Sequence, residues 1–116
     1  MAAKKKTIRT IPQERTPVRE QDPKERARNF TEVSCGYGIT EAQREAERCL
    51  QCADEPCVRG CPVSIDIPGF IRPLVEGDLR GAYRALKASN ALPAVCGRVC
   101  PQEVQCEAEC VVGKKL

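Results

Sequence analysis

Eight of the nine cysteines in this 116-residue chain lie in two dense segments, and the ninth, Cys35, stands alone. Thiolates are strong ligands for iron and zinc, so these segments first indicate metal binding. A cubane [4Fe–4S] cluster takes four cysteine ligands, so eight thiols suit two clusters. The two segments have the spacings Cys49-x2-Cys52-x4-Cys57-x3-Cys61-Pro62 and Cys96-x3-Cys100-Pro101-x4-Cys106-x3-Cys110.

The short spacings let one turn of chain direct successive sulfur atoms at the same cluster. Two Cys-Pro pairs, Cys61-Pro62 and Cys100-Pro101, are a second indication. In bacterial ferredoxins with two clusters, the cysteine before proline binds the other cluster rather than the one its neighbours bind. These pairs therefore favour ligand sets that cross between the segments over two self-contained loops.

Zinc is the main alternative metal, because structural zinc sites also use four cysteines and Cys-x2-Cys pairs. A zinc ribbon normally has two such pairs, whereas only Cys49 and Cys52 form one here. The chain has no histidine, which excludes mixed Cys/His sites. The longer spacings and the prolines favour iron–sulfur. A structural zinc-binding or redox-silent interaction module stays open as the second interpretation.

Other uses of the cysteines have less support. A secreted, disulfide-bonded domain would begin with an apolar segment, and Met1-Ala2-Ala3-Lys4-Lys5-Lys6 is not followed by one. We therefore expect a cytoplasmic protein, and in cytosolic proteins clustered cysteines more often bind metal than form disulfides. Without histidine, a cysteine hydrolase lacks its usual base, and no Gly-x-Gly-x-x-Gly or Walker loop indicates a nucleotide site. We therefore expect no catalytic residue in this chain.

The charge pattern gives little support for nucleic-acid or membrane binding. The net charge is +3, and much of it lies in the Lys4-Lys5-Lys6 run. The body of the chain has no basic stripe with interleaved aromatic residues. No apolar run approaches the length of a membrane span. We expect neither a nucleic acid nor a membrane as partner.

The elements that must position the cysteines are predicted to be helices. With two Phe, two Tyr and no Trp, the core should be thin, and bound metal would serve as an added cross-link. Residues 1–22 are predicted to be an extended or disordered arm because prolines interrupt them, and a strap lying on a partner domain is the alternative. Residues 23–116 would form the cluster domain. No run alternates with period two for long enough to predict a strand.

Helix starts are marked by capping residues. Asp22 caps one helix, which begins at Pro23 and is predicted to reach Phe30. Asp66 begins another, and Leu79 begins a third that runs to about Ser89. Thr40 and Gln43 fit a capping box.

The apolar residues of these helices are expected to face inward. The helix after Thr40 should bury Ala42, Ala46, Cys49 and Leu50. We expect Phe70 and Tyr83 in the core, and a bend or early stop at Pro73.

Taken together, these motifs resemble the N-terminal domain of the glutamate synthase small (beta) subunit. The same module occurs in dihydropyrimidine dehydrogenase and in NADH-dependent ferredoxin:NADP oxidoreductase. The resemblance covers nearly the whole chain after the arm. It rests on Arg28–Phe30, Glu32-Val33, Gly36-Tyr37, Arg48–Cys52, Cys57–Val63, Ile65–Ile71, Leu92–Glu103 and Cys106–Cys110. The chain departs from the family at Ala91, where Asn-Pro-Leu-Pro is common.

The resemblance implies an all-α fold, an α-helical ferredoxin-like domain with loops around two [4Fe–4S] clusters. It implies that Cys49, Cys52, Cys57 and Cys110 hold one cluster. Cys61, Cys100 and Cys106 would supply three ligands of the other. In some relatives the fourth ligand is a Gln or Glu further along the chain, beyond residue 116 here, so Cys96 is either the local substitute or a bystander.

In this family the domain precedes FAD- and NADPH-binding domains and passes electrons between the flavin and a partner's redox centres. The resemblance therefore implies a fragment of a longer flavoprotein subunit that partners a glutamate synthase large subunit. The chain itself would be an electron relay. Arg59 and Arg98 adjoin cluster cysteines, where they would tune a potential, face a partner or be ordinary surface residues.

Overall fold

The computed structural model describes residues 10–115. Residues 1–9, with the lysine run of the predicted arm, and Leu116 lie outside the described residues. The described part is mostly helical, which confirms the predicted all-α class. None of its helices has both the length and the apolar character that a membrane span requires. The helices are α1 (Pro23–Arg26), α2 (Ile39–Ala46), α3 (Pro56–Arg59), α4 (Ile67–Val75), α5 (Leu79–Ser89), α6 (Pro93–Val99) and α7 (Cys106–Glu109), with a 3-10 helix (Gln102–Val104) before α7.

A short antiparallel ribbon precedes α2. Its strands are β1 (Arg19–Glu20) and β2 (Ser34–Gly36), with Arg19 opposite Gly36. The expectation of no strand was wrong here, because strands of two and three residues are too short to show alternation. Every residue of both strands is exposed.

Aspartates cap three of the helices by accepting backbone N–H groups that have no partner inside the helix. Asp22 accepts from Lys24 N at 2.9 Å, Asp66 from Gly69 N at 2.7 Å, and Asp78 from Gly81 N at 2.8 Å. The predicted caps at Asp22 and Asp66 are confirmed, although α1 ends at Arg26.

The helix α2 begins earlier than the sequence predicts. Its N-cap is Gly38, and the Glu41 carboxylate accepts the Gly38 N–H at 2.7 Å. The capping box centred on Thr40 was therefore wrong, because Glu41 already occupies the third helical position. The helix ends at Ala46, which is buried, whereas Leu50 falls in the following loop and is 47% exposed.

The helices α4 and α5 pack against each other, and α4 also packs against α2. Pro73 lies inside α4, which ends two residues later at Val75. Gly77 then takes a φ of 85°, a conformation that glycine adopts without strain, and the chain turns into α5. The helix α5 ends at Ser89, as predicted.

The core is thin. Ala46, Ala82 and Val112 are its buried apolar residues, and no large side chain in the described part of the chain is fully buried. Phe70 is half-buried, but Tyr83 is 58% exposed, so its expected core position was wrong. Packing alone thus leaves this domain short of buried apolar area.

The described part of the arm lies against the chain's own helices. Thr16 is buried, and its backbone N–H donates to Glu45 of α2 at 2.7 Å. The hydroxyl of Tyr37 donates to the Thr16 carbonyl at 2.5 Å. Arg15 pairs with Glu107 of α7 at 2.8 Å. These contacts join the arm to α2, which precedes the first cysteine segment, and to α7, which lies in the second.

Candidate metal centre

The structure brings Cys49, Cys52, Cys57 and Cys110 together, and we call them the first thiol group. Cys49 follows α2, and its N–H donates to the Ala46 carbonyl at 3.1 Å. Cys52 lies in the next loop, Cys57 lies in α3, and Cys110 caps the C-terminus of α7. The group therefore joins the first cysteine segment to the end of the second.

The thiols of the first group lie close enough for their charges to affect the pKa values of Cys57 and Cys52. Burial raises the pKa of Cys57 to about 11, and Cys110 and Cys49 add to the rise because neighbouring thiolates repel. Burial also raises the pKa of Cys52, with smaller effects from Asp54, Cys49 and Cys110. The raised pKa values of Cys57 and Cys52 mean that these two thiols resist ionisation until a cation balances their charge.

The first thiol group lines a cavity of about 370 Å³. Part of its wall is apolar and comes from Phe70, Ile71 and Leu74 of α4 and from Val112. Such a wall lowers the local dielectric constant and so strengthens every charge interaction within the cavity.

Cys61, Cys96, Cys100 and Cys106 form the second thiol group. Cys61 follows α3, Cys96 lies within α6, Cys100 caps the end of α6, and Cys106 begins α7. Desolvation is the largest cause of the raised pKa of Cys100, and the neighbouring Cys96 and Cys61 raise it further. Burial raises the pKa of Cys106, and Cys61 contributes to the rise.

Both groups depend on the contact between α3 and α7. α3 packs against α7, and two pairs of cysteines lie near each other at the ends of these helices. Cys110 adds to the raised pKa of Cys57, and Cys61 adds to that of Cys106. Gly60 permits the approach, because a Cβ there would lie 2.6 Å from the Gln105 carbonyl oxygen and 3.1 Å from Cys106 Cα. Real Cβ atoms do not come that close to backbone, so the close approach requires glycine.

The first cysteine segment contains a cluster of left-handed backbone conformations. Gln51, Glu55 and Ser64 have φ values of 53°, 44° and 51°. Each such residue costs about 1–3 kcal/mol, and these conformations concentrate at functional sites. Gln51 and Glu55 turn the chain between successive cysteines, and Ser64 turns it just after the last cysteine of the segment.

Two amides donate to cysteine sulfur. Gln51 Nε2 lies 3.4 Å from Cys49 Sγ, and Asn90 Nδ2 lies 3.1 Å from Cys96 Sγ. Asn90 is buried, and its side-chain oxygen also accepts the Leu92 N–H at 2.8 Å. Sequence reasoning missed this role of Asn90, although its place just before a cysteine-bearing helix was the available signal.

The arginines beside the cysteines have distinct surroundings. Arg59 donates to the Asp54 carbonyl at 2.6 Å. Arg98 pairs with Glu32 at 2.5 Å in an exposed ion pair that joins α6 to the segment before β2. Arg48, which the sequence did not single out, is buried and lines the first cavity.

The donors in both groups are thiols alone, which is the chemistry that iron–sulfur clusters use. Among residues 10–115, no three or more Cys, Asp or Glu side chains converge closely enough to bind a single metal ion. A cubane cluster does not need such convergence, because each of its thiolates binds a different iron atom. Cys35 is exposed in β2 and does not line the first cavity.

Comparison with known proteins decides the family. Residues 26–116 match the family described as dihydropyrimidine dehydrogenase domain II, 4Fe-4S cluster. The chain belongs to this family. The match includes every cysteine of both thiol groups, and it confirms the predicted resemblance and the cluster type. This family member is thus an iron–sulfur electron-transfer domain.

The individual relatives are longer proteins, and the chain matches only a part of each. The NADPH-dependent glutamate synthase small chain of Azospirillum brasilense is 40% identical over 88 residues, which cover 76% of this chain and 18% of the relative. The NAD-dependent dihydropyrimidine dehydrogenase subunit PreT of Escherichia coli is 45% identical over 69 residues, which cover 60% of this chain and 17% of the relative. The chain therefore spans about a fifth of the length of these relatives.

Proposed function

We propose that the chain binds two [4Fe–4S] clusters and relays electrons through them. The single observation that supports this most is the presence of two groups of four thiols, each drawn from both cysteine segments. When bound, such clusters take up and release one electron at a time. The chain's own residues hold the clusters, exclude water and set their potentials.

The proposed ligands of one cluster are the first thiol group, Cys49, Cys52, Cys57 and Cys110. Those of the other are Cys61, Cys96, Cys100 and Cys106. Two observations support Cys96 as the fourth ligand of the second cluster. It lies close enough to Cys100 to raise the pKa of that thiol, and its sulfur accepts a hydrogen bond from the Asn90 amide at 3.1 Å.

The proposed parent is a glutamate synthase-type oxidoreductase that serves glutamate biosynthesis in the cytoplasm. Two of the relatives are NADPH-dependent glutamate synthase small chains, 40% and 38% identical to this chain. In the proposal, electrons pass from NADPH through FAD-binding domains of the parent chain to these clusters. They continue from there to a glutamate synthase large subunit.

Anaerobic purification with iron, zinc and acid-labile sulfide analysis tests the cluster assignment. The intact chain should contain about eight irons and eight sulfides, with broad visible absorption that dithionite bleaches. Cys57→Ser and Cys106→Ser should each lower the content to about four irons, because each removes a ligand from a different cluster.

Cys35→Ser is the matched control, since it removes a cysteine outside both groups and should leave the iron content unchanged. A colourless protein that binds zinc would contradict the proposal and favour a structural module. If Cys96→Ser kept the full iron content, Cys96 would be excluded as a ligand while the rest of the assignment stood.

A further inference from the structure

Arg48 is a buried cation in the wall of the first cavity. The residue is 8% exposed, and it lines the same cavity as the four cysteines of the first thiol group. Burying a charge is costly unless an opposite charge or hydrogen bonds compensate it. The partners of its guanidinium therefore need to be accounted for.

One carboxylate satisfies only part of the hydrogen-bonding capacity of the Arg48 guanidinium. Arg48 Nη1 donates to Glu45 Oε1 at 2.5 Å. Arg48 Nε is also buried, and it has no hydrogen-bond partner among the described residues. A buried, unsatisfied donor on a charged group indicates that an acceptor belongs beside it.

Glu45 links the Arg48 guanidinium to the arm. Its other oxygen, Oε2, accepts the N–H of buried Thr16 at 2.7 Å. Burial opposes ionisation of Glu45, but the bonds from Thr16 and Arg48 keep its pKa below the ordinary value. A backbone contact and an ionised carboxylate thus position Arg48.

We propose that Arg48 is the counter-charge of the cluster held by the first thiol group and raises its reduction potential. This inference rests on the proposed function, in that the first group must hold a cluster. Four thiolates and a cluster are anionic, so adding an electron increases the negative charge. A buried cation, with Nε–H as a free donor, stabilises the reduced form more than the oxidised form.

The test is an anaerobic redox titration of the intact chain with dithionite, followed by electron paramagnetic resonance. Arg48→Gln should shift the reduction equilibrium of one cluster at least tenfold toward the oxidised form, about 59 mV for one electron. Arg48→Lys keeps the charge without the Nε–H, so its potential should fall between those of Arg48→Gln and the unchanged protein. The second cluster should titrate at the same potential in all variants.

Arg44→Gln is the matched control, because Arg44 is an exposed arginine one turn earlier on α2. It removes the same charge and should leave both potentials unchanged. If Arg48→Gln loses its iron, the test compares the reduction potential of the first cluster in Arg48→Lys with that in Arg44→Gln. Equal potentials in these two variants overturn the inference. Iron-loaded Arg48→Gln with unchanged potentials also overturns it. Absence of iron from the unchanged chain would instead overturn the proposed function.

Discussion

The two thiol groups differ in what surrounds them. The first lies in a cavity whose wall includes α4 side chains, and buried Arg48 stands beside it. The second takes two of its cysteines from α6 and its C-cap, yet α6 contains no buried residue. Its Val95 and Val99 are 49% and 70% exposed.

This difference shows which part of the domain is organised by packing. Around the first group, α2 packs against α4, and α4 packs against α5. Around the second, the Asn90 bonds and the Arg98–Glu32 ion pair hold α6, and an exposed ion pair stabilises little. We therefore expect metal binding to contribute more of the order around the second group than around the first.

The largest effect is expected where the two regions meet, at Gly60. Gly60→Val would push α3 away from the Gln105 carbonyl, which lies 2.6 Å from the position of a Cβ. Such overpacking typically costs about 1–3 kcal/mol. Because both groups span this contact, the iron content should fall below about four per chain.

Gly97→Ala is the control for that variant, since a Cβ at Gly97 in α6 would meet nothing within 4 Å. It should keep its iron and gain about 0.5–1 kcal/mol of helix stability. If Gly60→Val kept the iron of both groups, the α3–α7 contact would not be their common support.

The next largest effect is expected on metal removal, which should change the hydrogen exchange of the two regions to different extents. After chelation, amides of α6 should exchange with deuterium at nearly the rate of an unfolded chain, because little packing protects them. Amides of α4 and α5 should keep more of their protection. Hydrogen exchange with mass spectrometry on the loaded and stripped chain measures both. Equal protection of α5 and α6 in the stripped chain would abolish the distinction.

The smallest effect is expected at Asn90. Asn90→Ala removes the amide that donates to Cys96 at 3.1 Å and the acceptor of the Leu92 N–H. Loss of these bonds should cost about 0.5–1.5 kcal/mol of stability, because Leu92 is exposed and water can replace the acceptor of its N–H. It should also lower the potential of the second cluster alone, since that cluster loses a hydrogen bond to sulfur. Redox titration and urea unfolding measure the two effects.

Asn29→Ala is suited as the control, because Asn29 is an exposed asparagine whose amide bonds Gln21 and the Glu25 carbonyl. It should change neither potential. A shift of the first cluster in Asn90→Ala would show that the two environments are coupled rather than separate.

Local chemistry made much of the fold predictable. Asp22 and Asp66 cap helices as expected, because a cap joins groups only two or three residues apart. The start of α2 was misplaced, because Glu41 and Gln43 both offer a capping side chain and only the backbone at Gly38 chooses between them. The β1–β2 ribbon was missed, because it rests on pairing between residues distant in sequence.

The sequence by itself determined the donors, their segments and the family, because residue type and spacing carry that chemistry. The family resemblance had already implied how the thiols group, but only the tertiary structure showed the contact between α3 and α7, which joins residues some fifty positions apart. It also decided that Tyr83 is exposed and Arg48 buried. Burial depends on which faces of the helices meet, and the spacing within a single helix does not specify that.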